Sequence, residues 1–135
     1  MDTLFWDKNW QQREEQEWLQ KEKEFYQKEQ WIIEGYVDER SIARLRNADV
    51  IIYLDIKGTV GTYNYIKRWL EYRGSARPEL PNCIEKFSLS FLINILFKKE
   101  RPAIENTLNK LNALNVIRLS SKKETSQFLN SLRSY

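Results

Sequence analysis

The run Val50-Ile51-Ile52-Tyr53-Leu54-Asp55 decides how the rest of the chain is read. Three β-branched residues in succession, with no polar interruption before the closing acid, describe a buried strand of the continuous apolar kind found in parallel sheets. Lys57-Gly58-Thr59 then leads into residues 60–72, where Tyr63, Ile66, Trp69 and Leu70 follow helical spacing. Strand, turn and helix in that order form the repeating unit of an α/β domain, and ligands of such domains bind beyond the carboxyl ends of the strands.

Upstream, residues 11–30 are dense in Glu, Lys and Gln, with Trp18, Leu19, Phe25 and Tyr26 recurring one heptad apart, the pattern of an amphipathic helix. Trp31-Ile32-Ile33, ending at Glu34-Gly35, reads as a second short strand, and Ile42 with Leu45 marks a short helix over 40–47. Downstream, Gly74, Ser75, Pro78 and Pro81 make 73–85 a loop, and Leu89, Leu92, Ile93 and Leu96 line one side of a helix over 87–97 that is expected to be buried beneath it. Pro102 suits the first turn of a helix over 102–114, and Val116-Ile117-Arg118-Leu119 is a third strand. Ser121-Lys122-Lys123-Glu124 is a capping box that opens a last helix burying Phe128, Leu129 and Leu132.

At 135 residues, with 41% apolar and 30% charged, the chain has the size and composition of one folded domain rather than two, or of a disordered segment. The absence of His removes His-based triads and His-ligated zinc, and the lone Cys83 cannot form an internal disulfide or a thiolate metal site. Cys83 reads as a small surface residue, and cysteine usage fits the reducing cytoplasm. The longest apolar-rich run, 87–97, is interrupted by Ser90 and Asn94, so neither a signal peptide nor a membrane span is expected. Between Lys57 and Arg101 there are nine basic residues against four acids, +5, so within the total of +3 the remainder is −2. The total is too small an excess to argue for nucleic acid by itself, and the uneven distribution is more informative than the sum.

Four arginines, Arg68, Arg73, Arg77 and Arg101, flank the Gly- and Pro-containing loop, which is how a lid brings guanidinium groups onto transferring phosphates; any one of them alone reads as a solvated basic surface residue. Glu34 and Asp55 each follow an apolar strand, where a carboxylate can face phosphates or hold Mg²⁺, or simply cap the next turn. Of the five tryptophans, Trp18 and Trp69 lie on apolar helical faces and Trp31 begins a strand, so core packing is preferred for them over base stacking.

In order and spacing these pieces resemble the adenylate-kinase-like P-loop ATPases or kinases known in bacteria as DNA topology modulation proteins. The matching segments are Asp2-Thr3-Leu4-Phe5-Trp6 with Lys8-Asn9-Trp10, Trp31 to Gly35, Arg44-Leu45 with Ala48-Asp49, and Ile51 to Asp55. Lys67-Arg68, Tyr72-Arg73-Gly74, Arg77-Pro78, the 87–92 helix, Arg101-Pro102 and Phe128 to Leu132 extend the match over nearly the whole chain. The resemblance implies a three-layer α/β/α domain over 1–135 with a lid at about 68–101, ATP with Mg²⁺ as cofactors, and a nucleotide or other small molecule as phosphate acceptor. It implies Asp2, Glu34 and Asp55 at the cofactor, Glu34 at the metal, and Arg68, Arg73, Arg77 and Arg101 as catalytic lid residues.

The sequence departs from that family in its most diagnostic part. Gly35, Gly58, Gly61 and Gly74 include no GxxxxGK[ST] spacing, so the loop that cradles phosphates is missing, together with the strand before it. Glu34-Gly35-Tyr36 stands where the family has Asp and then Gly-Asn, and Glu39 stands near an expected arginine, with Arg40 one step displaced. The family's first strand is central, between the strands ending at Glu34 and Asp55. Its loss forfeits roughly 6 to 12 kcal/mol of apolar burial, comparable with the roughly 5 to 15 kcal/mol that holds a domain together. The expectations are therefore a truncated start, no ATP turnover by this chain, and self-association through unpaired strand edges. The competing reading is a non-enzymatic protein that binds nucleic acid or a helical partner with its basic lid surface.

Overall fold

A computed structural model of the chain describes residues 2–111 and 115–133. It is a mixed α/β structure, more helical than sheet, in the order α1 (Asp2–Phe5), α2 (Glu15–Tyr26), α3 (Ile42–Arg46), β1 (Ile51–Leu54), α4 (Gly58–Tyr72), β2 (Ala76–Arg77), β3 (Leu80–Ile84), α5 (Leu89–Leu96), α6 (Arg101–Lys110), β4 (Val116–Leu119) and α7 (Lys122–Leu132). Short 3-10 turns at Lys8–Trp10 and Glu39–Ser41 precede α2 and α3.

The decisive run does form a strand. Its residues pair in parallel with β4, Ile51 beside Val116 through Leu54 beside Leu119. The parallel sheet has these two strands alone among the described residues. Trp31-Ile32-Ile33 is not a strand: it lies in an irregular segment after α2, and Ile32 is 99% exposed. Three apolar residues supply too little burial to hold a strand that has no neighbour to pair with. Residues 73–85 are likewise not a plain loop. Pro78 and Glu79 turn the chain between β2 and β3, an antiparallel pair with an irregular register at Ala76 and Arg77.

Local signals explain the helices. Glu17 pairs with Arg13 and Lys21 at 2.9 and 2.7 Å along α2, Pro102 sits in the first turn of α6, and the Ser88 and Ser121 hydroxyls cap α5 and α7 by accepting from Phe91 N and Glu124 N. The predicted end of the α6 helix at Leu114 lies outside the described residues.

The buried side chains Trp18, Leu45, Tyr65, Leu80, Cys83, Leu108 and Leu119 come from six different elements. Cys83 is therefore not a surface residue: it is 2% exposed, and its thiol donates to the Asp7 carbonyl at 3.1 Å. Burial also falls short of three expectations. The β1 run reads as a buried strand of the continuous apolar kind, yet Ile52 and Leu54 are exposed and burial alternates along it, because only one side of the strand is paired among the described residues. Leu89, Phe91 and Phe97 of the α5 region and Leu129 and Leu132 of α7 are exposed, because no further layer of structure covers those helix faces.

Candidate functional site

The three-residue turn at Lys8–Trp10 begins the site. Asn9 and Trp10 both have left-handed backbone, φ 57° and 62°, which costs a bulky residue free energy that its surroundings must offset. The compensation is visible: the Trp10 indole N–H donates to the Ile84 carbonyl on β3 at 2.6 Å. That bond carries the ring across to the hairpin, where the Arg77 guanidinium lies 5.8 Å from its centre.

Between α1, α2, α4 and the hairpin opens a cleft of about 760 Å³. Phe5, Trp6, Trp10, Trp18, Tyr36, Tyr65 and Phe91 form its aromatic walls. Each lining arginine lies against a ring: Arg40 over Phe5 and Trp18, Arg68 over Tyr65, and Arg77 over Trp10. Cation–π contact of this kind holds guanidinium groups near apolar walls without requiring a carboxylate for each.

Glu85 is the charged centre of the cleft. Its carboxylate is only 3% exposed and is held by Arg77 at 3.0 Å and Arg68 at 3.4 Å. Asp2, 54% exposed, reaches the same Arg77 at 3.7 Å. Four acids (Asp2, Asp38, Glu85, Glu100) and four bases (Arg40, Arg68, Arg77, Lys86) line the cleft, so its walls balance to zero. The Glu85 Oε2, the Nε atoms of Arg68 and Arg77 and the Trp18 indole nitrogen are buried with no hydrogen bond of good geometry.

At the rim, Asp38 receives the Arg40 side chain at 2.5 and 2.8 Å and the backbone N–H groups of Arg40 and Ser41. Burial pushes the Asp38 carboxyl up, but the Arg40 hydrogen bond and charge, with Ser41, outweigh it and hold the carboxyl below its ordinary range. Burial, then the nearby Glu100 and Asp38, raise the Tyr36 phenol, which stays protonated at neutral pH.

The predicted site residues separate into two groups. Asp2, Arg68 and Arg77 meet in the wide cleft. Arg101 and Asp55 meet elsewhere, in a pocket of about 150 Å³ at the carboxyl end of β1, which shares Phe91 and Glu100 with the wide cleft. There the buried Asp55 pairs with Lys98, with Arg101 at 3.0 Å and with Arg118 at 3.7 Å. Arg73 lies over Trp69 at 5.7 Å, and Glu34 is exposed; neither lines either space.

Asp55 already faces three cations, and among the described residues no group of three or more Asp, Glu, Cys or His side chains could hold a metal. The residues that sequence reasoning missed are Glu85 and Tyr65. Glu85 carried one legible signal, as one of only four acids in the basic stretch.

The fold and site together define a small mixed α/β chain with an arginine-lined aromatic cleft. Comparison with protein families, with curated proteins and with solved structures finds no match for it. No described helix is long and apolar enough to cross a membrane.

Proposed function

We propose that the wide cleft binds a planar heteroaromatic ring carrying a phosphate, of the nucleoside monophosphate class, and that the chain corresponds to the acceptor-binding part of a nucleotide-kinase-like P-loop domain. The observation that carries this reading is the meeting of Asp2, Arg68 and Arg77, far apart in sequence, within one aromatic-walled cleft. Aromatic walls supply stacking for a flat ring. A phosphate needs cations it can reach, and the weakest contact in the cluster is the one at 3.7 Å between Arg77 and the half-exposed Asp2. A phosphate oxyanion replaces Asp2 on Arg77 with a bidentate partner while Glu85 keeps Arg68 in place.

ATP belongs to the family resemblance, and in the family it sits on a GxxxxGK[ST] loop that these 135 residues do not contain. The proposed activity of the chain is therefore binding without phosphoryl transfer. Nucleic-acid binding by the 57–101 surface has less support, because Arg68 is committed to Glu85, and Lys98 and Arg101 to Asp55.

Three tryptophans line the cleft, so a titration with adenosine monophosphate is expected to change the intrinsic fluorescence and to saturate in the range of about 0.1 to 1 mM. Arg77→Ala is expected to weaken it about tenfold or more with the circular dichroism spectrum unchanged. Phosphate release from ATP is expected to stay at the buffer rate. A fluorescence signal that never saturates refutes the reading; binding of duplex DNA that falls steeply with salt replaces it with a nucleic-acid role.

A further inference from the structure

Among the described residues, strand β1 is paired on one side only. Ile51 N donates to the Asn115 carbonyl and Asp55 N to the Leu119 carbonyl, both at 2.9 Å, and the Asn115 side chain donates to the Asp49 carbonyl at 2.9 Å. Odd-numbered residues thus face β4, and by strand alternation the backbone groups of Val50, Ile52 and Leu54 face the opposite, free edge. The side chains of the same three residues are 50%, 48% and 57% exposed. Leu119, the register partner of Leu54, is 6% exposed, so the cover over this face reaches β4 and stops before β1.

We propose that two copies of this chain associate through the free edges of β1, antiparallel about a two-fold axis at Ile52. In that register Ile52 lies opposite Ile52 of the second copy, and Val50 lies opposite Leu54. All three residues then form hydrogen-bonded pairs, and six apolar side chains gather on one face. Natural edge strands are protected by charges, prolines or bulges, and residues 50–54 contain neither a charge nor a proline.

Charge complementarity selects a second copy and fixes its direction. Asp49 and Lys57, both exposed, flank the run at its two ends. In this register Asp49 lies opposite Asp55 of the second copy, with that copy's Lys57 two residues further along, whereas in-register parallel pairing sets Asp49 beside Asp49 and Lys57 beside Lys57. Asp55 adds no repulsion, being neutralised by Lys98 and Arg101 within its own copy. The other edge of the sheet carries Arg118, bound to Glu105 at 2.6 Å, and a charge there opposes continued growth. The assembly closes as a dimer. Its contact is at the small end of specific interfaces, so a dissociation constant in the range of about 1 to 100 μM is expected.

Sedimentation equilibrium of the full chain across that concentration range tests the proposal. The wild-type chain is expected to pass from monomer to dimer, and Ile52→Lys to stay monomeric with an unchanged circular dichroism spectrum. If Ile52→Lys perturbs the fold, Ile52→Cys decides instead. A hydrogen-bonded antiparallel pair sets the two Cα atoms about 5.5 Å apart, within disulfide range, so oxidation should give a covalent dimer. Cys83 is buried and does not compete, and Ser126→Cys, at an exposed position on α7, provides the collision control. A monomer at all concentrations, a dimer indifferent to a folded Ile52→Lys, or Ile52→Cys cross-linking no faster than Ser126→Cys overturns the proposal.

Discussion

Asp38 shows how one side chain can hold a segment of this protein in place. It caps the Glu39–Ser41 turn, accepts from Ser41 in a reciprocal capping box and takes the Arg40 guanidinium at the cleft rim. Because its pKa lies below that of a free carboxyl, its contribution is complete at neutral pH and is lost as pH falls through the folded value. Asp38→Ala is expected to cost about 1 kcal/mol at neutral pH. The gap between variant and wild type in urea denaturation should narrow as the pH is lowered beyond the ordinary carboxylate range and the wild-type group takes up its proton as well. Nearby, the Glu22–Arg44 pair is nearly sealed from solvent, and Arg44 also donates to the Tyr36 carbonyl at 2.9 Å and to the Ser41 hydroxyl at 3.1 Å. Those bonds tie α2, α3 and the segment that carries Tyr36 into the cleft wall, which is a tertiary role that no local pattern around Glu22 announces.

Helices α4 and α5 approach closely, and glycine allows it. A Cβ on Gly58 would strike the backbone carbonyls of Leu96 and Ile95, the latter at 2.8 Å; on Gly61 it would meet only the Ile95 side chain, also at 2.8 Å. Backbone cannot step aside as a methyl group can. Gly58→Ala is therefore expected to destabilise by about 1 to 3 kcal/mol. Gly61→Ala should change stability by less than about 1 kcal/mol, since its helix-propensity gain offsets the strain. Paired chemical denaturation of the two variants separates these outcomes. Strand β1 and helices α4 and α7 were legible because their signals are local: a β-branched run, helical spacing and a serine cap. The 31–33 segment was misread because an apolar triplet looks alike with or without a neighbouring strand. The β2–β3 hairpin was missed because Gly74, Pro78 and Pro81 mark turns, while the pairing that makes strands of their neighbours depends on distant contacts such as Trp10 with Ile84.

For the whole molecule, a parallel sheet of two strands leaves one apolar edge open and several helix faces half covered. If the dimer proposed above closes that edge, stability becomes concentration-dependent. The thermal midpoint of the wild-type chain is then expected to rise by a few degrees for each tenfold increase in protein concentration above the dissociation constant, and that of Ile52→Lys to stay constant. The candidate site was legible in part. Asp2, Arg68 and Arg77 came from the order of motifs and share one cleft, whereas Asp55 and Arg101 belong to a separate pocket, and Arg73 and Glu34 to neither. The sequence by itself determined the mixed α/β class, the parallel strand at its centre, the basic stretch and the lack of a phosphate-cradling loop, all of which follow from neighbouring residues. Only the tertiary structure decided that β1 pairs directly with β4, that Cys83 is buried, and that Glu85 gathers two arginines among aromatic rings. Those outcomes turn on which distant surfaces exclude water from one another, and spacing along a chain does not encode that.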